Sequence, residues 1–251
     1  MTNVLFVVSA ADHWTLKDGS EHPTGFWAEE LAEPHRIFTE AGFDATIAAP
    51  NGVAPTLDRI SIGPMGGSRS KREKIVDYLK KIKDQIDHPV NLSEVNHEEY
   101  DLVFYPGGHG PMEDLATDPT SGKILLERAQ SGRTVAVLCH APAALLAAKT
   151  NTGNAFAGFQ VTGLSNLEER FNPFSFKAKW LLEDALKDAG LKYEKNKLPY
   201  MSKIVVDRNL YSGQNPQSSV ALAERLVKDL RSDVKTTGFT EKNELNAGNA
   251  Q

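Results

Sequence analysis

Short, nearly all-apolar runs alternate with helix-periodic stretches along most of this chain. "VLFVV" (4–8) and "DATIAA" (44–49) read as strands flanking a helix from Phe26 to Ala41, which Gly42 ends as a helix C-terminus should. "DLVFYP" (101–106) is a third strand, stopped by Pro106-Gly107-Gly108. A helix from Ser121 to Gln130 leads into "TVAVL" (134–138), and another helix starts at Cys139 or His140. "FQVTG" (159–163), an amphipathic stretch over 175–190, "KIVVD" (203–207), "LYSG" (210–213) and a helix from Pro216 to Leu230 complete the series. Apolar strands interleaved with helices predict an α/β sandwich around a parallel sheet covered on both faces. Sites in such sheets form at the carboxyl ends of strands, so the segments after Val8, Tyr105 and Leu138 are the ones to search.

Two regions leave this rhythm. Residues 51–100 hold a Gly/Ser-rich loop ("GPMGGSRS"), a basic helix ("KREKIVDYLKKIKDQI") and an acidic stretch ("SEVNHEEYD"). Ile75, Leu79, Ile82 and Ile86 recur at helical spacing, so one side of that helix packs and its lysines face water. The region is expected to be an insertion or cap on a single domain spanning 1–230. Residues 231–251 lack periodicity and are expected to be a disordered tail.

Composition then removes several classes. The length of 251 residues suits one sizeable α/β domain or two small ones, and a net charge of −5 gives no basic field to attract nucleic acid. One cysteine excludes an internal disulfide framework and any four-cysteine zinc site. The first apolar run, Val4–Val8, has no basic segment before it, and no run approaches 18 apolar residues. A cytoplasmic protein without a membrane role is expected.

The cysteine carries the chemistry. Free Cys is among the most buried residue types, which favours a plain core role. Cys139, however, ends a buried strand where a tight strand-to-helix turn would raise a nucleophile above the sheet edge. A following helix N-terminus would favour its thiolate. "HAPAALLAA" supplies the small residues that a cramped elbow needs, with Pro142 in the first turn, although Leu138 stands where a small residue is usual.

Other residues converge on it. In "YPGGHGPMEDL" consecutive glycines after the neighbouring strand can aim N–H groups at an anionic oxygen, and Gly108 with His140 would form the oxyanion hole. On the Phe26–Ala41 helix, Trp27, Leu31, Pro34, Phe38 and Ala41 form one stripe. Glu29 and Glu33 lie about 160° and 120° away, toward water, and Glu30 only about 60° off, at the edge of the buried face. Glu30 could thus share a proton with the thiol or substrate. His140 is a base or a mere neighbour of the thiol, depending on whether its ring swings back. Glu168 or Glu169 of "NLEERF" could orient it. His109 is a candidate pocket residue, whereas His22, His35, His88 and His97 read as surface residues without mutual ligand spacing, so no metal is expected. No phosphate-binding glycine motif follows a strand, and no cofactor is expected.

In their order and spacing these motifs resemble the ThiJ/PfpI superfamily, with its class I glutamine amidotransferase-like, flavodoxin-like fold. The resemblance is narrower toward its heat-inducible, chaperone-like branch with glyoxalase III activity. It covers about residues 3–230 and is carried by "DGSEHPTGFWAEELAEP", "YPGGHGPMEDL", "AVLCHAPAALL", "VTGLSNLEE" and "LYSGQNPQSS". It implies Cys139 as nucleophile, Glu30 as its carboxyl partner, His140 as base, Glu169 as the acid orienting it and Gly108 as an oxyanion donor. Ala141 departs from the Gly that many relatives carry there, and the zinc ligands of some larger relatives have no match. The implied activity is a cofactor-independent lyase of the lactate dehydratase class, turning a small 2-oxoaldehyde, methylglyoxal, into lactate without glutathione. The alternatives are a protein deglycase or small amidase or peptidase using the same thiol, a stress-response holding chaperone for unfolded proteins, or a thiol redox sensor. The resemblance also implies a homodimer.

Overall fold

The computed structural model describes residues 2–172 and 174–232. Seven strands form its main sheet: β1 (Asn3–Val7), β2 (Asp44–Ala49), β3 (Val90–Asn91), β4 (Leu102–Tyr105), β5 (Thr134–Leu138), β6 (Ile204–Asp207) and β7 (Leu210–Gly213). Their spatial order is β6-β7-β5-β4-β1-β2-β3. All neighbours are parallel except the β6–β7 hairpin at one edge. The α/β class and the parallel sheet therefore agree with the sequence pattern.

The apolar runs lack polar alternation because both faces of the sheet are covered. Leu5, Val7, Val103, Tyr105, Val135 and Val137 point into one core, while Val4, Phe6, Leu102, Phe104, Ala136 and Leu138 point into the other. Each fully buried Leu, Val or Phe there contributes about 1.5–3 kcal/mol. Register aligns the exits of three central strands: Tyr105 pairs with Val137, and Leu138 with Gly213. Residues 106–108, 139–140 and 214–215 thus emerge side by side at one carboxyl edge.

Helix α1 (Ala28–Glu40) buries Leu31, Ala32 and Phe38 against the second core. Helix α2 (Arg69–Lys81) starts at Ser68, whose hydroxyl accepts the Lys71 N–H, and packs Ile75 and Leu79 into that core. The basic stretch breaks at Ile82 and resumes in α3 (Lys83–Asp87), so it is two helices rather than one. Because α2 lies over α1, Glu29 is buried and its carboxylate meets Lys71 Nζ at 2.6 Å. This corrects the placement of Glu29 toward water: the wheel oriented α1 by the sheet alone and could not include the cover on its other side. The opposite face of the sheet is covered by α4 (Pro119–Ser131), capped by Asp118 and ended by Gly132 in the left-handed conformation.

Three further expectations change. The helix after Cys139 is a 3₁₀ helix, Ala141–Ala147, pressed so closely on α4 that a Cβ on Gly122 would lie 2.3 Å from the Ala147 carbonyl oxygen. "FQVTG" supplies only Gln160–Val161, paired with Lys192–Tyr193 outside the main sheet. The amphipathic stretch 175–190 holds a 3₁₀ turn and the short helix Leu182–Asp188. Residues 219–232 are helical, and the part of the expected tail from residue 233 lies outside the described residues.

Candidate active site

Cys139 stands where β5 ends, with φ of 59°, a left-handed conformation that costs a non-glycine residue about 1–3 kcal/mol. Its neighbours hold it there: the Cys139 N–H donates to the Gly213 carbonyl (2.9 Å), and its carbonyl accepts the Leu164 N–H (2.8 Å). A backbone pinned on both sides enforces the sharp turn that the sequence suggested. The side chain is only 3% exposed yet lines a cavity of about 740 Å³.

The turn swings the next residue back over the thiol. His140 Nδ1 lies 3.4 Å from Cys139 Sγ, and its Nε2 lies 2.5 Å from Glu169 Oε2. With the carboxylate accepting from Nε2–H, the Nδ1 lone pair faces the thiol, the arrangement a base requires. Glu169 reaches the site from a short helix, Asn166–Glu169, begun by a capping box between Ser165 and Glu168. That cap separates the two glutamates. Glu168 accepts from Ser165, Gln214, Asn215 and the Tyr200 N–H, tying loops together, and Glu169 alone faces His140.

The second oxygen of Glu169 has partners that sequence reasoning missed. His109 Nε2 lies 3.0 Å from Oε1, and Asn172 Nδ2 donates to the same oxygen at 3.2 Å. His109 also stacks on Trp14, with centroids 4.6 Å apart, and lies 4.0 Å from the His140 ring. Burial works against the Glu169 charge, but the two imidazoles overcome it and hold the carboxyl well below its usual range. Burial disfavours protonated His109, yet the Glu169 charge and hydrogen bond raise its pKa. Burial and the nearby His109 lower that of His140. These shifts favour the charged forms of Glu169 and His109 and the neutral form of His140.

Glu30 arrives from the first turn of α1 and is fully buried. Its Oε2 accepts the Gly107 N–H at 2.8 Å, and its Oε1 has no hydrogen-bond partner among the described residues. Burial pushes this carboxyl up to about 8, opposed by its interaction with the Cys139 thiol and by Gly107. The same burial, with the Glu30, Glu168 and Glu169 carboxyls around it, pushes the thiol well above its ordinary value. This overturns the expectation of a helix-stabilised thiolate: seven residues of 3₁₀ helix do not offset desolvation and three acids.

Gly107 and Gly108 shape the opposite wall. A Cβ on Gly107 would sit 2.4 Å from the Leu138 carbonyl and 2.9 Å from the His140 nitrogen, so only glycine fits between the strand ends. Gly108, at φ of 104°, lines the cavity with His140. Neither the Gly108 nor the His140 N–H donates to a protein acceptor among the described residues.

The cavity is lined partly by Ile60, Pro64 and Met65, from the first part of the 51–100 segment. His22 also lines it, stacked on Phe174 at 3.9 Å. His35 and His97 are buried, the first between Phe6, Tyr78 and Gln85 and the second against Glu127. These three depart from the surface placement expected of them, and His88 is exposed as expected. The ligating atoms of His109, His140 and Glu169 lie within 4.8 Å of one another, a grouping that sequence spacing did not reveal. Among the described residues, no helix is long and apolar enough to cross a membrane.

Known proteins share this framework. A family model described as the DJ-1/PfpI family matches residues 23–229. A probable glutathione-independent glyoxalase of Schizosaccharomyces pombe, hsp3103, is 26% identical over 260 residues, covering 91% of this chain and 98% of its own. The protein/nucleic acid deglycase HchA of Staphylococcus aureus is 26% identical over 241 residues, covering 90% and 79%. The crystal structure of glyoxalase III from Candida albicans superposes with a TM-score of 0.78 at 22% identity, covering 90% of this chain and 96% of that one, and so shares the fold.

Proposed function

The chain belongs to the DJ-1/PfpI family, and on that premise we propose that it converts methylglyoxal to lactate without glutathione, through a covalent adduct on Cys139. The observation that carries this reading is Glu30: a fully buried carboxyl that interacts with the thiol, has one oxygen without a hydrogen-bond partner among the described residues, and is pushed up to about 8 by burial. A Cys-His-Glu array alone serves amide hydrolysis equally well. Moving a proton between two adjacent carbons needs a further group able to give and take protons near neutral pH, and Glu30 is that group. The curated relatives, a probable glyoxalase and a deglycase, agree with chemistry on dicarbonyl carbon.

Sulfur attacks the aldehyde carbon while the thiol proton passes to His140 Nδ1. The displaced carbonyl electrons collect on oxygen, facing the Gly108 and His140 N–H groups, and Glu30 protonates that oxygen to give the hemithioacetal. The Glu30 carboxylate then removes the hydrogen from the former aldehyde carbon, and protonated His140 returns its proton to the ketone oxygen, giving an enediol. Glu30 delivers its proton to the second carbon as His140 takes the hydroxyl proton from the first, leaving a thioester. Water adds to that carbon, the C–S bond breaks, His140 reprotonates sulfur and Glu30 recovers a proton from water. The sum is methylglyoxal plus water giving lactic acid, with every group restored.

The test is a lactate assay on methylglyoxal without glutathione, comparing wild type with Cys139→Ala and Glu30→Gln. Both variants are expected to lose activity; near-normal lactate from either would overturn the proposal. A second reading, deglycation of methylglyoxal adducts on peptides, draws support from the cavity. At about 740 Å³, with Met65 and Phe171 each 58% exposed at its mouth, it is far larger than a three-carbon substrate needs. An adducted peptide assayed with released dicarbonyl trapped separates the two activities.

A further inference from the structure

We propose that His109, His140 and Glu169 form a zinc site that switches the enzyme off; the binding claim stands by itself, and the inhibition rests on the function proposed above. The two imidazole Nε2 atoms approach the same carboxylate from its two sides, at 3.0 and 2.5 Å. A tetrahedral zinc ion with ligands about 2.0–2.1 Å away separates those ligand atoms by about 3.3 Å. The three ligand atoms lie within 4.8 Å of one another, so side-chain shifts on the order of 1 Å, opening the 2.5 Å contact and narrowing the widest gap, would admit the ion.

The set is also well supported. Trp14 stacks on His109, and Asn172 bonds Glu169, so both side chains are fixed before any ligand arrives. All three residues line the cavity, which leaves the fourth coordination position open to water or a small anion. Two nitrogens, one carboxylate oxygen and an open position make a three-ligand zinc site. The Cys139 sulfur lies on the other side of the His140 ring, against Nδ1, and is not a member of the set.

That last relationship makes the ion an inhibitor. An imidazole with zinc on Nε2 carries its proton on Nδ1. His140 then donates toward the thiol and can no longer accept its proton. Zinc and catalysis thus compete for opposite tautomers of one ring.

Titration calorimetry of the full chain with zinc chloride, in a non-chelating buffer, tests the site. We expect one zinc per wild-type chain, binding at least about 10-fold weaker in His109→Asn and in Glu169→Gln, and unchanged within about twofold in Cys139→Ala. Circular dichroism of each variant establishes that it is folded, and either ligand variant suffices. Absence of binding to wild type, unweakened binding to both folded ligand variants, or loss of binding in Cys139→Ala would overturn the site. Lactate formation by wild type should fall with the zinc-bound fraction and return on adding a chelator. Activity that persists at full zinc occupancy would overturn the inhibition. Zinc binding without lactate formation in any sample would overturn the glyoxalase reading and leave the site standing.

Discussion

His140 Nδ1 lies 3.4 Å from the sulfur of Cys139, the residue directly before it in the chain. Neighbours in an extended strand point to opposite faces, so this contact exists only because Cys139 takes φ of 59°. Glu169 then fixes the ring from its far side. His140→Asn keeps a polar group at the position but nothing able to accept the thiol proton. Its kcat/KM for methylglyoxal is expected to fall about 10²- to 10⁴-fold. Steady-state kinetics check this, and a loss below about threefold would remove His140 as the base.

The pH profile follows from two neighbouring shifts of opposite sign. Glu30, pushed up to about 8 by burial, must begin the cycle protonated, so kcat/KM should decline as pH rises through about 8. His140 must begin neutral, and burial with the adjacent His109 lowers its pKa. The acid limb should therefore fall below 6.5, the ordinary imidazole value. Measuring kcat/KM from pH 5 to 10 checks both limbs. A profile rising from pH 6 to 9 would mean that ionised Glu30 or the thiolate is the starting form.

The same carboxyl costs stability. Burial pushes the folded-state pKa of Glu30 up to about 8 from an ordinary 4.5, so the folded state holds a proton that the unfolded state releases between those values. Stability attributable to this group is complete below pH 4.5 and is lost as pH rises through about 8, at about 1.4 kcal/mol per unit in between. Glu30→Gln removes the titration. Denaturant unfolding at pH 5 and pH 8 should show the variant gaining stability relative to wild type at the higher pH while it loses activity. An equal difference at both pH values would place the Glu30 pKa near its ordinary value.

Some of this was legible from residues alone. Nearly every main-sheet strand stands where an apolar run placed it, because a sheet covered on both faces leaves an uninterrupted signature. Helix α1 runs from Ala28 to Glu40 within two residues of expectation, and the wheel put Glu30 at the boundary from which it reaches Gly107. The pairing of His109 with Glu169 joins positions 60 apart and depends on where two loops land, which no local period encodes. The resting charge of the thiol was likewise hidden, since it depends on how many acids the fold gathers around it.

Glu29 shows the same limit and yields its own prediction. Its carboxylate, 7% exposed, has Lys71 of α2 as its cationic partner. Burial raises its pKa and Lys71 opposes the rise. Lys71→Met therefore raises it further, so the variant loses more stability at pH 8 than at pH 5. The Lys71 side chain is 40% exposed, and solvent screening limits the cost to about 1–2 kcal/mol. Lys71→Met combined with Glu29→Gln should recover most of that loss. Denaturant melts of the single and double variants check it, and a double variant no better than the single would show that the lysine acts through packing.

Gly107 is where fold and chemistry meet most tightly. A methyl group there would approach the Leu138 carbonyl at 2.4 Å, Glu30 Oε2 at 2.7 Å and the His140 nitrogen at 2.9 Å. Two of the three are backbone atoms of β5 and the turn after it, which cannot rotate away as a flexible side chain could. Gly107→Ala must therefore spread the ends of β4 and β5, costing about 1–3 kcal/mol. The same movement displaces Glu30 and the His140 N–H together, so kcat should fall by more than the stability loss explains. Thermal melting beside kcat, measured well below the midpoint, separates the two effects. A folded Gly107→Ala enzyme with unchanged kcat would mean that the spacing of Glu30 and His140 about this glycine does not matter to the reaction.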